Sequence, residues 1–240
     1  MDTNVVSLID HAVLQPTQTS ADVREACAMA AELGVASVCV KPSHVALAAE
    51  LLSGSVAVAS TVIGFPHGGT STAAKVAETV AACGDGAREV DMVINIGAAL
   101  AGEWDAVGED IAAVVSAAKD HGVMTKVIFE TGLLPDDASK RKLCELSEAA
   151  GAAFVKTSTG FGFAKGAGGA LASTGATVED VRLMRAACSD AVAVKASGGV
   201  RSYEDALRMV EAGATRLGTS GTRAIAAGQA GETAESKSSY

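Results

Sequence analysis

The stretch Ala191-Val192-Ala193-Val194-Lys195-Ala196-Ser197-Gly198-Gly199 decides how this chain is read. Its β-branched valines suit a strand, yet the apolar run closes on a lysine, a residue depleted in strands and almost never buried without a partner. A glycine pair then turns the chain. Ser202-Tyr203-Glu204-Asp205 follows with the N-cap and capping-box pattern of a helix start. Strand, turn and capped helix make one βα unit. Ala152-Ala153-Phe154-Val155-Lys156-Thr157-Ser158-Thr159-Gly160 repeats the theme of an apolar run that ends on lysine.

Working outward from these two, short apolar runs recur at residues 6–11, 35–41, 56–64, 89–95, 125–130, 153–157, 191–196 and 215–218. Their spacing is roughly 30 residues, the size of a βα unit. Ala-rich segments with helical periodicity lie between them, at 20–33, 71–83 and 106–121. Thr177-Val178-Glu179-Asp180 is a further capped start, and Gly34, Gly84, Gly122, Gly151 and Gly213 stand where C-terminal caps would fall. About eight strands alternating with helices predict a parallel sheet closed into a single (β/α)₈ TIM barrel. A doubly wound open sheet usually has fewer strands, and no GxGxxG follows the first run. The barrel is expected over residues 1–225, with a polar, Gly/Ser-rich tail over 226–240. The Gly-rich segment 161–175 is long for a βα connection and is read as a loop over the barrel mouth.

Composition narrows the function. Hydrophobic residues make up 49% of the 240 and aromatics 3%, so Ala, Val, Leu and Ile must build the core. A net charge of −9 argues against nucleic acid and anionic membranes as partners, while leaving room for a small phosphorylated ligand. Five cysteines without CxxC or Cys/His clustering read as reduced thiols, which points to the cytoplasm. No N-terminal signal pattern and no apolar run of about 18 residues is present. The four histidines show no metal-ligand spacing.

The chemistry gathers at strand ends, where barrel enzymes carry their catalytic groups. Asp10, Cys39, Lys41, Asp91, Asn95, Lys126, Glu130, Lys156, Lys195 and Ser220 are the polar residues there. Asp91 lies inside Val90-Asp91-Met92-Val93-Ile94, an expensive position for an unpaired carboxylate. Lys156 and Lys195 belong to consecutive runs of the main series, so their side chains can approach. Two ammonium groups in one pocket repel, and a lysine with a lowered pKa is a nucleophile toward carbonyls. Bringing a lysine from about 10.4 to near 7 takes roughly 4 kcal/mol, which desolvation and a like charge can supply. The bland alternative is a self-neutralising buried ion-pair network without chemistry. Ser197-Gly198-Gly199-Val200 and Gly218-Thr219-Ser220-Gly221 follow the last two runs, where barrels bind phosphate.

Several segments together resemble deoxyribose-phosphate aldolases. They are Lys156-Thr157-Ser158-Thr159-Gly160, Val194-Lys195-Ala196-Ser197-Gly198-Gly199-Val200-Arg201 and Glu89-Val90-Asp91-Met92-Val93-Ile94-Asn95. Ile9-Asp10-His11, Ser37-Val38-Cys39-Val40, Lys126-Val127-Ile128, Glu130-Thr131-Gly132-Leu133-Leu134 and Arg216-Leu217-Gly218-Thr219-Ser220 fit the same family. The resemblance covers nearly the whole chain. It implies a metal-free class I aldolase without a cofactor, which reversibly cleaves 2-deoxy-D-ribose 5-phosphate to D-glyceraldehyde 3-phosphate and acetaldehyde. Lys156 would form the Schiff base, Lys195 would lower its pKa, and Asp91 would move protons. Asp10 and Lys126 would belong to the surrounding network, and Gly198, Gly199 and Ser220 would hold the phosphate. Tyr240, ending a tail like those that fold back in some members, would assist proton transfer. A homodimer is the family-level expectation. Many members carry Thr and Lys where this chain has Ala12 and Gln15, and some a basic residue where Phe161 stands; Lys165 is a candidate substitute. A lyase for another phosphorylated aldol and a non-catalytic sugar-phosphate binder are the rival readings.

Overall fold

The computed structural model describes residues 4–165 and 171–232. Eight parallel strands close a barrel: β1 (Ile9–Val13), β2 (Ser37–Val40), β3 (Val58–Ile63), β4 (Glu89–Val93), β5 (Met124–Ile128), β6 (Phe154–Lys156), β9 (Ala193–Ser197) and β10 (Arg216–Thr219). β10 pairs back onto β1 through Ile9–Leu217 and Asp10–Gly218, so the sheet has no open edge. Helices α1 (Ser20–Leu33), α2 (Val45–Leu51), α3 (Thr72–Gly84), α4 (Ile96–Ala101), α5 (Trp104–Lys119), α6 (Asp137–Ala150), α7 (Val178–Ala187), α8 (Tyr203–Glu211) and α9 (Thr222–Gln229) lie along the connections. The expected barrel is the observed one, and an open doubly wound sheet is ruled out by the closure.

Local sequence explains the element ends. Thr19 and Asp22 form a capping box on α1, Ser202 and Asp205 form another on α8, and the Thr177 hydroxyl accepts from Asp180 N at 3.0 Å on α7. Gly34 and Gly151 cap α1 and α6 in the left-handed conformation. The core is a continuous shell of Ala, Val, Ile and Leu between strands and helices. Each fully buried Val, Ile or Leu contributes about 1.5–3 kcal/mol of transfer free energy.

Three features differ from the sequence-based expectation. Residues Val6–Leu8 form a 3₁₀ turn, and the first strand begins at Ile9. Segment 161–175 is not a plain loop: β7 (Phe163–Lys165) and β8 (Leu171–Ser173) pair antiparallel as a hairpin beside the barrel mouth. Helix α9 runs to Gln229, past the expected barrel end at 225. Among the described residues, no helix is long and apolar enough to cross a membrane.

Candidate active site

Parallel register brings the candidate residues to one depth inside the barrel. Asp91 on β4 pairs in register with Lys126 on β5, and Lys156 on β6 with Lys195 on β9. Lys156 Nζ donates to Asp91 Oδ2 at 2.8 Å, and Lys195 Nζ donates to the same oxygen at 2.7 Å. Lys126 Nζ takes the other oxygen, Oδ1, at 2.8 Å. Asp10 on β1 accepts from Lys195 and from Arg216 (2.7 Å), and its side chain is held further by the Ser37 hydroxyl at 2.7 Å. Asp91, Lys156 and Lys195 are 0, 2 and 1% exposed, so these contacts are made almost without water.

The three lysines differ in how many carboxylates they touch. Lys126 meets Glu89 at 2.6 Å, Asp91 at 2.8 Å and Asp10 at 3.4 Å. Lys195 meets Asp10 and Asp91, whereas Lys156 meets Asp91 alone. Burial disfavours the ammonium form of all three. For Lys126 and Lys195 the carboxylates outweigh burial and raise the pKa. For Lys156 burial prevails over Asp91, Lys195 adds repulsion, and its pKa falls below the usual lysine value. Burial would raise Asp91, but Lys126, Lys156 and Lys195 reverse this and hold it well below the usual carboxylate range. The arrangement therefore offers one amine whose charged form is disfavoured beside a firmly held ammonium and a carboxylate, the parts required for carbonyl addition and proton transfer. The like charge anticipated from sequence contributes, but burial is the larger cause.

Above this cluster opens a cavity of about 370 Å³. Lys156 and Lys195 line its floor; Gly198, Gly199 and Ser220 line its wall together with Arg201. Gly198 and Gly199 take φ of 91° and 83°, and a Cβ on Gly198 would meet the Gly175 Cα at 2.9 Å. Gly218 serves the lysine directly: a Cβ there would lie 2.2 Å from Ser197 Oγ and 3.2 Å from Lys195 Cε. All three phosphate candidates thus share one cavity with both lysines. Phe161 packs edge-on against Phe65 at 5.3 Å between ring centroids.

Other candidates are placed elsewhere or do other work. Lys41 Nζ binds the carbonyls of Gln15, Pro16 and Gln18 at 2.7–3.3 Å and so ties down the β1–α1 loop. Asn95 caps α4. Glu130 accepts from the Thr159 hydroxyl, from Thr159 N at 3.1 Å and from the Thr174 hydroxyl at 3.1 Å, bracketing the β7–β8 hairpin at both stems. His11 does not pair with Asp10; its Nδ1 bonds Thr222 Oγ1 at 2.8 Å on the opposite face of β1. Cys39 lines the cavity, and burial, then Asp91, push its thiol up. Tyr240 lies outside the described residues, as does the Lys165 side chain. Among the described residues no group of three or more His, Cys, Asp and Glu is arranged for a metal ion.

Two members of the network are not singled out by the sequence reading. Glu89 binds Lys126 and Arg216, and Arg216 binds Asp10 and Glu89. Lys126, expected in the surrounding network, touches three carboxylates there: Glu89, Asp91 and Asp10. The one available signal for Glu89 is its spacing: it stands two residues before Asp91, so both point to one face of β4.

A parallel barrel with paired lysines and a carboxylate sealed beneath its C-terminal mouth is an architecture suited to carbonyl chemistry. The chain belongs to the DeoC/LacD family aldolases, which it matches over residues 4–229. It is thus an aldolase, an enzyme of the lyase class. Curated relatives named deoxyribose-phosphate aldolase include one from Carboxydothermus hydrogenoformans, 53% identical over 91% of this chain and 92% of the relative. Another, from Desulfitobacterium hafniense (strain DSM 10664 / DCB-2), is 51% identical over 90% and 94% respectively. A solved deoxyribose phosphate aldolase from Aeropyrum pernix, described as tetrameric, superposes with a TM-score of 0.82 at 31% identity, covering 94% of this chain and 90% of that one.

Proposed function

We propose that this aldolase cleaves 2-deoxy-D-ribose 5-phosphate to D-glyceraldehyde 3-phosphate and acetaldehyde through a Schiff base on Lys156. The observation that carries the reading is the single Asp91 oxygen shared by the Lys156 and Lys195 nitrogens at the floor of a cavity walled by Gly198, Gly199 and Ser220. The names of relatives at about half identity support the substrate.

Neutral Lys156 Nζ adds to the C1 aldehyde and forms a carbinolamine. Lys195, an ammonium held by Asp10 and Asp91, supplies a proton to the departing hydroxyl, which leaves as water. Asp91 accepts and returns protons at the nitrogen. The resulting iminium draws electrons from the C2–C3 bond. That bond breaks as the C3 hydroxyl loses its proton, and C3 leaves as the aldehyde of glyceraldehyde 3-phosphate. The remaining enamine is protonated at C2, and water releases acetaldehyde and restores the amine. Backbone around Gly198 and Gly199, with the Ser220 hydroxyl, holds the phosphate. Asp10 and Lys126 keep Asp91 and Lys195 in place.

Borohydride reduction in the presence of acetaldehyde tests the reading. The expected product is an N-ethyl group on Lys156, located by peptide mass spectrometry. An adduct on another lysine, or none, would overturn it. The cytoplasm remains the proposed location. A homodimer remains the proposed assembly, although the A. pernix relative is described as a tetramer; light scattering during gel filtration separates the two.

A further inference from the structure

The titratable groups around Lys156 come from six strands: Asp10 on β1, the Cys39 thiol, whose ionisation burial opposes, on β2, Glu89 and Asp91 on β4, Lys126 on β5, Lys195 on β9 and Arg216 on β10. β3 contributes Ser60, whose uncharged hydroxyl bonds Ser37 at 2.9 Å. In the ion-paired network, four cations (Lys126, Lys156, Lys195 and Arg216) face three carboxylates (Asp10, Glu89 and Asp91). A sealed network carrying one surplus positive charge relieves it by losing a proton. A guanidinium does not give one up in proteins. Of the three lysines, Lys156 has the fewest carboxylate partners.

We propose that Arg216 is the positioning residue that makes Lys156 the neutral amine: by occupying Glu89 and Asp10 from below, it supplies the cation that puts the barrel interior in surplus. Without Arg216 the count is three against three, and every lysine, Lys156 included, has a carboxylate to balance it. The geometry fits this role. Arg216 Nη1 reaches Asp10 Oδ1 at 2.7 Å and Glu89 Oε1 and Oε2 at 3.0 and 2.8 Å, while the guanidinium lies over the Phe154 ring at 5.1 Å. Arg216 is in register with Lys195, whose strand separates it from that of Lys156, and it touches neither lysine through any bond of its own. It acts through carboxylates it shares with Lys126 and Lys195.

This inference rests on Lys156 being the Schiff-base residue, and the experiment keeps the two apart. The readout is the acid limb of the kcat/KM profile, which reports deprotonation of the nucleophile in free enzyme. Arg216→Met should move that limb up by about one pH unit, because the surplus charge is gone. Arg216→Lys, which keeps the charge, should leave it near the original position. Glu89→Gln raises the surplus by one and should move the limb down. Arg216→Met combined with Glu89→Gln restores a surplus of one and should return the limb toward the unaltered protein. A residue with only a packing role would make the double variant worse than either single one. An unmoved limb in both single variants, or a double variant displaced further than Arg216→Met, overturns the proposal. If Arg216→Met does not fold, Glu89→Gln alone decides by the direction of its shift. Borohydride trapping of the unaltered protein tests the nucleophile independently: an adduct off Lys156 sinks that assignment, whereas an adduct on Lys156 with an unmoved limb sinks only the role of Arg216.

Discussion

Lys156 and Lys195 are register partners on neighbouring strands, and both nitrogens meet one atom, Asp91 Oδ2, at 2.8 and 2.7 Å. A carboxylate oxygen can accept from two ammonium groups, but the pair then repels across it. What breaks the symmetry lies on the far side. Lys195 has Asp10 as a second partner, and Lys156 has none. The same strand pairing that brings the nitrogens together therefore shifts their pKa values in opposite directions, down for Lys156 and up for Lys195.

Replacing Lys195 with Leu removes the ammonium that disfavours a charge on Lys156 and leaves Asp91 more available to it. The acid limb of kcat/KM should rise in pH. The rate should also fall by about 10²–10⁴, because the proton donor is lost. Trapping with borohydride at high pH should still label Lys156. A limb that stays in place would show that the like charge does not tune the amine.

Asp91→Asn keeps the shape and removes the charge that three lysines share. Leaving buried ammonium groups without their carboxylate should destabilise the fold by about 3 kcal/mol or more. Activity should fall by at least about 10²-fold. Denaturant titration and steady-state kinetics check the two halves separately, and a variant as stable as the parent would contradict a network centred on this carboxylate.

The pH dependence of stability has an identifiable contributor away from the cavity. Burial, and then the nearby Arg223, push His11 down from 6.5 to about 4. Between those values the unfolded chain binds a proton that the folded chain does not, so stability falls as the pH drops. From pH 6.5 to 5 the loss should be about 1–2 kcal/mol. Guanidinium unfolding of the parent and of His11→Gln at pH 7 and 5 measures it; the variant should lose less over this interval. Equal losses would assign the effect to other groups.

How much of the barrel and its site is legible in the sequence depends on whether a residue clashes with its own surroundings. Asp91 inside an apolar run and lysines closing two strands are local contradictions, and they lead to the site. Capping patterns at Thr177 and Ser202 are local as well, and α7 and α8 begin there. Glu89 and Arg216 show no such contradiction, because each opens a strand where a charged residue is ordinary. Only closure and stagger of the barrel bring the start of β4 and the start of β10 to Lys126 and Asp10. The hairpin is hidden for another reason. Its strands are three residues each, too short for alternation to register, and they sit among glycines.

Gly218 tests whether that geometry, and not charge alone, is required. Its backbone is not among the left-handed glycines, so alanine is compatible with its φ; the obstacle is space. A Cβ would press on Ser197 Oγ and approach Lys195 Cε to 3.2 Å. The Ser197 hydroxyl can turn away, but its Cβ, 2.9 Å from the new methyl, cannot, so the strand carrying Ser197 and Lys195 has to give and the Lys195 stem shifts from Asp10 and Asp91. Gly218→Ala should therefore fold, with a stability change of about 1–3 kcal/mol typical of overpacking. It should lose more than about tenfold in kcat, since a small misplacement of a proton donor is costly. Its acid limb should move upward, as in Lys195→Leu but by less, because the ammonium is displaced and not removed. A variant with parental kcat and an unmoved limb would mean that the lysine tolerates the extra methyl, and that its contact with Asp91 is not what fixes the charge on Lys156.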